Sequence, residues 1–196
     1  MEKRWIANPN VKEVDFLDIR IEKTERAIKQ AFMELRAEKP LEKIRVKELC
    51  DRACINKSTF YAHYEDIYAL SSGLETKVIG NILACVTDFG PNRPLDHTEE
   101  LTQGLFRAFV QNQRAVNILF SGSRQGVFAN SIEQGLRKRV AELDPTFTAD
   151  PRRGIVLSFC VQGCFYAFTN NSGRMDEAKL VALLAEIAKA AQKIEL

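Results

Sequence analysis

The segment from Ile44 to Leu70 constrains what this 196-residue chain can fold into more than any other part of it. Four apolar residues recur at the spacing of one helical face: Val46, Leu49, Cys50 and Ala53. The positions between them are charged, so the pattern predicts a short amphipathic helix with one face on a core. Asn56 then offers a side-chain oxygen to the free backbone N–H groups of a second helix, as N-cap residues do.

This second helix is predicted to be about two turns long and to be tied to the turn before it. Ile55 precedes the cap and Phe60 takes the fourth helical position, the two places joined in a hydrophobic staple. With these two and Tyr64 inside, the outer surface carries Lys57, Ser58, Thr59, Tyr61 and Ala62. Two short helices that meet at a tight turn form a helix-turn-helix, whose second helix fits the major groove of DNA. Asp66 is placed to cap a third helix.

The residues from Lys23 to Leu70 resemble the N-terminal DNA-binding domain of the TetR family of transcriptional regulators. The resemblance rests on Thr24, Ala31, Phe32, Ile44, Val46 and Leu49, and above all on the run NKSTFYAHY from Asn56 to Tyr64. The rest of the chain matches the family in length and helical layout. The resemblance implies an all-α homodimer whose second motif helix enters the major groove. It also implies a C-terminal domain that binds a small effector. Effector binding would change the distance between the two DNA-binding domains of the dimer.

Carried over by position, the resemblance implies three groups of DNA-binding residues. Those near the DNA backbone are Arg45, Val46 and Lys47; those in the groove are Lys57, Ser58, Thr59 and Tyr61; and His63 joins Tyr61 at the flanking phosphates. Two positions depart from the family pattern. Cys54 replaces the usual turn glycine, so either the backbone there is not left-handed or a small strain is tolerated. Ile67 replaces a lysine that contacts phosphate in the family. This predicts a lower affinity for DNA that depends less on salt.

Charge alone does not indicate nucleic-acid binding. The chain has 28 Lys and Arg against 26 Asp and Glu, a net charge of +2, so it is no bulk polycation. Between Lys43 and His63 five basic residues accompany two acidic ones: Lys43, Arg45, Lys47, Arg52 and Lys57 against Glu48 and Asp51. A solvated helical face has the same composition, and it is the capped, hydroxyl-rich second helix that favours DNA.

Other classes of function find little support in the sequence. It has no glycine-rich phosphate loop, no nucleophile with a suitably spaced histidine and no paired carboxylates beside a pocket, so we expect no enzyme. We also expect no metal and no cofactor. The five cysteines lie in helical patterns that suit a reducing cytoplasm, and we interpret Cys160 and Cys164 as core rather than as an oxidant sensor or soft-metal site. The longest apolar run, Ile155 to Phe168, is too short to span a bilayer, and residues 1–10 lack the apolar stretch of a signal peptide; a cytoplasmic protein is expected.

The hydrophobic pattern predicts an all-α chain. Together with the resemblance it implies three parts: an arm at residues 1–19, a helix-turn-helix domain at residues 20–66, and an effector-binding and dimerisation domain at residues 67–196. The first helix is predicted to end at Pro40, and the fourth to run through Val86 into the last domain, before the break at Gly90–Pro94. Separate helices are predicted at Leu101–Phe109, Val116–Phe120 and Phe128–Leu143. Asp150 with Pro151, and then Asp176, mark the starts of the last two helices.

The last two predicted helices have more apolar surface than one neighbour covers. The first is apolar nearly all round, and the second has a stripe from Leu180 to Ile194. A four-helix bundle of these helices from two protomers would bury both stripes; packing within one chain is the alternative. We favour the homodimer, because one reading helix of about two turns makes too few contacts for specific binding. A palindromic double-stranded operator follows from the two-fold symmetry.

Aromatic residues of the C-terminal domain are candidates for an effector pocket, although such a stripe is also typical of core. The candidates are Phe106, Phe109, Phe120, Phe128 and Phe165, with Gln162 and Tyr166 as polar partners. The sequence thus predicts a dimeric, ligand-responsive repressor that reads specific DNA. The alternative is a protein-interaction regulator whose helix-turn-helix is mainly a scaffold and whose C-terminal domain binds a protein partner.

Overall fold

The computed structural model describes residues 9–89 and 94–193. These residues form α-helices joined by turns and short 3-10 segments, and no strand occurs among them. The expected all-α class is confirmed. The chain divides into two compact units, Met1–Ser72 and Gly73–Leu196.

The first unit contains three helices and the beginning of a fourth. They are α1 (Pro9–Glu38), α2 (Val46–Ala53), α3 (Lys57–His63) and α4 (Ile67–Leu83). α1 packs on α2, and α2 packs on α3. The apolar side chains that the helical spacing placed inside are fully buried: Ile28, Phe32, Leu35, Leu49, Phe60 and Leu70. Burial of this stripe supplies the main drive for the unit to fold.

α1 is longer than the sequence pattern indicated. We expected residues 1–19 to form an arm, whereas the backbone is helical from Pro9 onward. Proline suits the first turn of a helix because its φ is already helical and its missing N–H has no partner there. No glycine or proline interrupts residues 10–38, so nothing in the sequence ends the helix earlier. Residues 1–8 of the predicted arm lie outside the described residues.

The second unit contains the end of α4 and four further helices. They are α5 (Thr98–Leu119), α6 (Gln125–Leu143), α7 (Pro151–Asn171) and α8 (Glu177–Ala191). α5 packs on α8, α6 on α7, and α7 on α8. The predicted start signals are confirmed: Asp150 accepts a hydrogen bond from the N–H of Arg152 at 3.0 Å, and Asp176 accepts one from Lys179 at 3.0 Å.

Two boundaries differ from the sequence-based expectation. The helices predicted at Leu101–Phe109 and Val116–Phe120 are one helix, α5. The polar residues 111–114 interrupt the apolar period but include no helix breaker, so the backbone continues through them. α4 ends at Leu83, and a 3-10 segment at Ala84–Phe89 replaces its expected last turn. Residues 90–93 of the predicted break lie outside the described residues.

A polar cluster joins α6 to α7. Glu133 accepts hydrogen bonds from the Ser158 hydroxyl at 2.6 Å and from the Gln162 amide at 3.1 Å. Arg137 donates to the Gly154 carbonyl at 2.9 Å and to Ser158 at 2.7 Å. The bond from Ser158, followed by that from Gln162, lowers the pKa of Glu133, so its carboxylate is charged at neutral pH.

Candidate nucleic-acid interface

The turn between α2 and α3 is closed by backbone hydrogen bonds. Cys54 is left-handed, with φ 54° and ψ 42°, and it alone among the non-glycine residues of the described ranges has a positive φ. The N–H of Ile55 donates to the Cys50 carbonyl at 3.0 Å, and that of Cys54 to Asp51 at 3.4 Å. This pair of bonds is a Schellman motif, which normally has glycine at the left-handed position. Of the two possibilities for Cys54, the tolerated strain is therefore correct.

Asn56 organises the start of α3. Its Oδ1 accepts from the backbone N–H of Thr59 at 2.7 Å, as an N-cap should. The same oxygen accepts from the hydroxyls of Ser58 at 2.7 Å and Thr59 at 2.8 Å. Both hydroxyl protons are therefore directed inward, and the two oxygens present their lone pairs outward. These two further roles of Asn56 are not evident from its cap position alone, although hydroxyls two and three positions after an Asn cap are the signal for them.

The outer face of α3 has the composition that the sequence predicted. Lys57, Ser58, Tyr61 and Ala62 are exposed, and Thr59 and His63 are half-buried. The Tyr61 side chain is 55% exposed, and its ring meets the edge of the buried Phe60 ring at a centroid distance of 5.4 Å. Ile55 is half-buried and Phe60 fully buried, as the two positions of a staple require. α3 thus presents one cation, hydroxyl oxygens and an anchored aromatic ring.

Tyr64 fixes the far end of α3 against α1. Its hydroxyl donates to Glu25 at 3.2 Å, and Lys29 pairs with the same carboxylate. Burial, together with the negative charge of Glu25, raises the pKa of Tyr64 to about 12, so the phenol keeps its proton. The contact holds the end of α3 on α1.

Ion pairs neutralise part of the positive charge that the composition of this segment indicated. Arg52 pairs with Glu38 at 2.6 Å, and Glu48 pairs with Lys39 at 2.6 Å; both pairs join α2 to the end of α1. Of the five basic residues between Lys43 and His63, four make no ion pair with any residue in the described ranges: Lys43, Arg45, Lys47 and Lys57. Arg45 and Lys47 are exposed beside the half-buried Val46 at the start of α2. The charge available to an anion therefore lies at the beginnings of α2 and α3.

The start of α4 explains the second departure from the TetR pattern. Ile67 is 5% exposed and belongs to the core of the first unit. Asp66 caps the helix by accepting from the N–H of Ala69 at 2.7 Å. The neighbouring Tyr68 is 56% exposed, and sequence reasoning did not single it out. The exposed side chain at the start of α4 is therefore the phenol of Tyr68. Ile67, where the family usually has lysine, packs into the core instead.

The second unit contains a cavity of about 90 Å³ that is partly open to solvent. Four of the seven predicted pocket residues line it: Phe106, Phe109, Phe128 and Phe165. The other three do not. Phe120 is buried beside the Phe128 ring at a centroid distance of 5.2 Å, Gln162 donates to Asn130 and Glu133, and Tyr166 is 70% exposed.

The cavity lining also contains residues that the sequence did not indicate. Its polar side chains are Thr98, Thr102, Cys160, Cys164 and Gln192. On α7 the cavity side carries Cys160, Val161 and Cys164, whereas Gln162 and Tyr166 lie on other faces of the same helix. The position of Phe165 on the helix does not by itself predict which of the adjacent faces of α7 lines the cavity.

No family model matches the chain, and no curated protein matches it. A solved structure, that of a transcriptional regulator of the TerR/AcrR family from Aquifex aeolicus VF5, covers 87% of this chain and 98% of its own, with 18% identity and a TM-score of 0.55. The chain has the TetR/AcrR fold. The architecture that the sequence resemblance implied is thereby confirmed.

The TetR/AcrR fold here carries two separate candidate sites, the surface of α2 and α3 and the cavity of the second unit. Over the described ranges, no cluster of three or more His, Cys, Asp or Glu side chains is arranged to hold a metal ion. Nor is any helix in those ranges both long and apolar enough to cross a membrane.

Proposed function

We propose that this protein is a sequence-specific DNA-binding transcriptional regulator. The observation that carries the proposal is the exposed face of α3, held in place by the Asn56 cap on one side and by the Tyr64–Glu25 hydrogen bond on the other. Lys57 supplies a cation for phosphate, and Ser58, Thr59 and Tyr61 supply groups that reach base edges. Arg45, Val46 and Lys47 approach the backbone at the start of α2, and His63 approaches a flanking phosphate.

The proposal includes a homodimer formed by the last two helices. α7 exposes Ile155, Phe159 and Tyr166, which follow one face of the helix, and α8 exposes Leu183 and Ile187. Large apolar side chains in a row on the surface of a monomer indicate a covered interface. α7 and α8 pack on each other, so the same helices of a second copy complete a four-helix bundle. A two-fold dimer reads a palindromic operator with half-sites about 34 Å apart.

We further propose that a small molecule bound in the cavity relieves repression. Ile82 of α4 lines the cavity, and α4 is one continuous helix from Ile67 to Leu83. Its first residues, Ile67 and Leu70, belong to the core of the unit that contains α3. A ligand that displaces Ile82 therefore acts on the same helix that holds the reading unit. The ligand changes the affinity for DNA because it binds one of two positions of α4 more tightly than the other.

The experiment that tests DNA reading is selection from a pool of random duplexes by the purified full chain at near-physiological salt. The Lys57→Ala, Tyr61→Ala double variant is selected in parallel. Lys179→Ala, at an exposed position of α8, is the matched control. We expect the wild-type protein and the control to enrich one palindrome and the double variant to enrich none.

Two results would count against the proposal. No enrichment by the wild-type protein would shift the weight to the alternative function, a regulator that binds another protein and keeps the helix-turn-helix as a scaffold. Enrichment that the double variant retains would show that α3 is not the reading element. The burial of Ile67, where a phosphate-binding lysine is usual in the family, is the observation that favours the alternative.

A further inference from the structure

The cavity of the second unit is bounded by uncharged side chains. Its lining comes from α4, α5, α6, α7 and α8 and includes no Asp, Glu, Lys, Arg or His. The two thiols in the wall are also neutral at pH 7, because burial raises the pKa of Cys160 and raises that of Cys164 to about 11. A carboxylate or ammonium ion in this cavity would lose its hydration without gaining a counter-charge.

The few polar side chains in the wall include two hydroxyls and two thiols. Thr98 donates its hydroxyl to the Leu95 carbonyl at 2.7 Å, and the Cys164 thiol lies 3.8 Å from the Leu184 carbonyl. Thr102 is 9% exposed and lines the cavity. Its hydroxyl stands on a mainly apolar wall, where it can form a hydrogen bond with a ligand's polar atom.

The volume limits the size of what can bind. A cavity of about 90 Å³ is smaller than the roughly 150 Å³ apolar cavity that accommodates benzene in a well-packed protein core. Because the cavity is partly open to solvent, a single six-membered ring is accommodated by extending into its mouth or by a small movement of the walls, and a larger ligand needs a larger movement.

We propose that the effector is a small, uncharged, mainly apolar molecule with one hydrogen-bonding group, which the Thr102 hydroxyl binds. This inference rests on the proposed function, since it names the class of ligand that the regulator responds to. Hydroxyl-bearing or carbonyl-bearing single rings belong to the class, and carboxylic acids of the same size do not.

The test uses three probes of similar shape on the full chain without DNA: phenol, toluene and benzoate. Binding is measured by calorimetric titration and by methyl chemical-shift changes. We expect phenol to bind best, toluene several-fold more weakly and benzoate at least tenfold more weakly than phenol. The shift changes should be confined to cavity residues such as Leu101, Leu105 and Ile132.

Thr102→Val tests the hydrogen bond with little change in shape. It should weaken phenol binding by about three- to tenfold, the effect of one neutral hydrogen bond, and leave toluene binding unchanged. Thr169→Val removes an exposed hydroxyl from α7 outside the cavity and is the matched control. It should change neither affinity.

The proposal is overturned if benzoate binds as tightly as phenol, if no probe binds at millimolar concentration, or if Thr102→Val weakens phenol and toluene equally. If Thr102→Val does not fold, the relative affinities of the three probes for the wild-type protein decide the question. Because these measurements contain no DNA, their failure is distinct from failure of the operator selection, which contains no probe.

Discussion

Replacing Cys54 by glycine should stabilise the protein. Cys54 holds the left-handed position of a Schellman motif, where a Cβ crowds the following carbonyl. Its thiol is exposed, so removal of the side chain loses little packing. The backbone hydrogen bonds from Cys54 and Ile55 do not involve the side chain and remain in the variant.

The expected magnitude is the difference between two backbone effects. A left-handed conformation costs an L-residue other than Asn or Asp about 1–2 kcal/mol relative to the right-handed helix region. Glycine avoids that cost but loses about 0.5–1 kcal/mol more conformational entropy on folding. The net gain for Cys54→Gly is therefore about 0.75 kcal/mol in the free energy of unfolding, within a range of about 0–1.5 kcal/mol.

Urea unfolding of the full chain, followed by helix circular dichroism under reducing conditions, measures this difference. Cys54→Ala is the matched control, because it removes the thiol and keeps the Cβ; it should lie within about 0.5 kcal/mol of the wild-type protein. If Cys54→Gly unfolds at the same urea concentration as Cys54→Ala, or earlier, the strain assigned to this turn is refuted.

Three further predictions concern the cap, the polar cluster and the dimer. Asn56→Ala should destabilise the protein by about 1–2 kcal/mol in thermal unfolding because it removes the cap of α3, whereas Asn56→Asp should not; equal losses would contradict the capping role. Glu133→Gln should lower the melting temperature at pH 7. Because the folded-state pKa of Glu133 lies below 4.5, the stabilisation is present above pH 4.5 and lost as pH falls through the folded value, so the two melting curves should converge in acid. The exposed carboxylate variant Glu142→Gln is the control, and a constant gap down to acid pH would argue against the predicted pH dependence. Phe159→Glu should convert the proposed homodimer to a folded monomer in light scattering, since Phe159 is 67% exposed on α7, while Lys138→Glu should not; a Phe159→Glu variant that is still dimeric would refute the proposed interface.

Local signals in the sequence located most helix starts. Asn56, Asp66, Asp150 and Asp176 each accept the backbone hydrogen bond that their N-cap positions predicted. Such bonds join residues two or three apart, so the information for them is contained in a few neighbouring residues. The continuity of α5 was missed because a polar stretch without a breaker resembles a loop by hydrophobic period alone.

The candidate DNA-binding face was also accessible from the sequence, because its residues follow one another within two short helices. The charge that this face presents to solvent could not be predicted from the sequence. Arg52 and Lys39 are paired with Glu38 and Glu48 across the junction of α1 and α2. Those pairs depend on how the two helices cross, and no spacing along the chain specifies that crossing.

The sequence by itself determined the helical class, the caps and the composition of the candidate DNA-binding surface of α3, because these depend on side-chain periodicity and on hydrogen bonds between near neighbours. Only the tertiary structure decided which faces of α5 and α7 line the cavity and that Thr98 and Thr102, rather than Gln162 or Tyr166, are among its polar side chains. A cavity is the space left between helices that are distant in sequence. Its shape follows from their packing, and periodicity along one helix records only that a face is apolar, not which neighbour covers it.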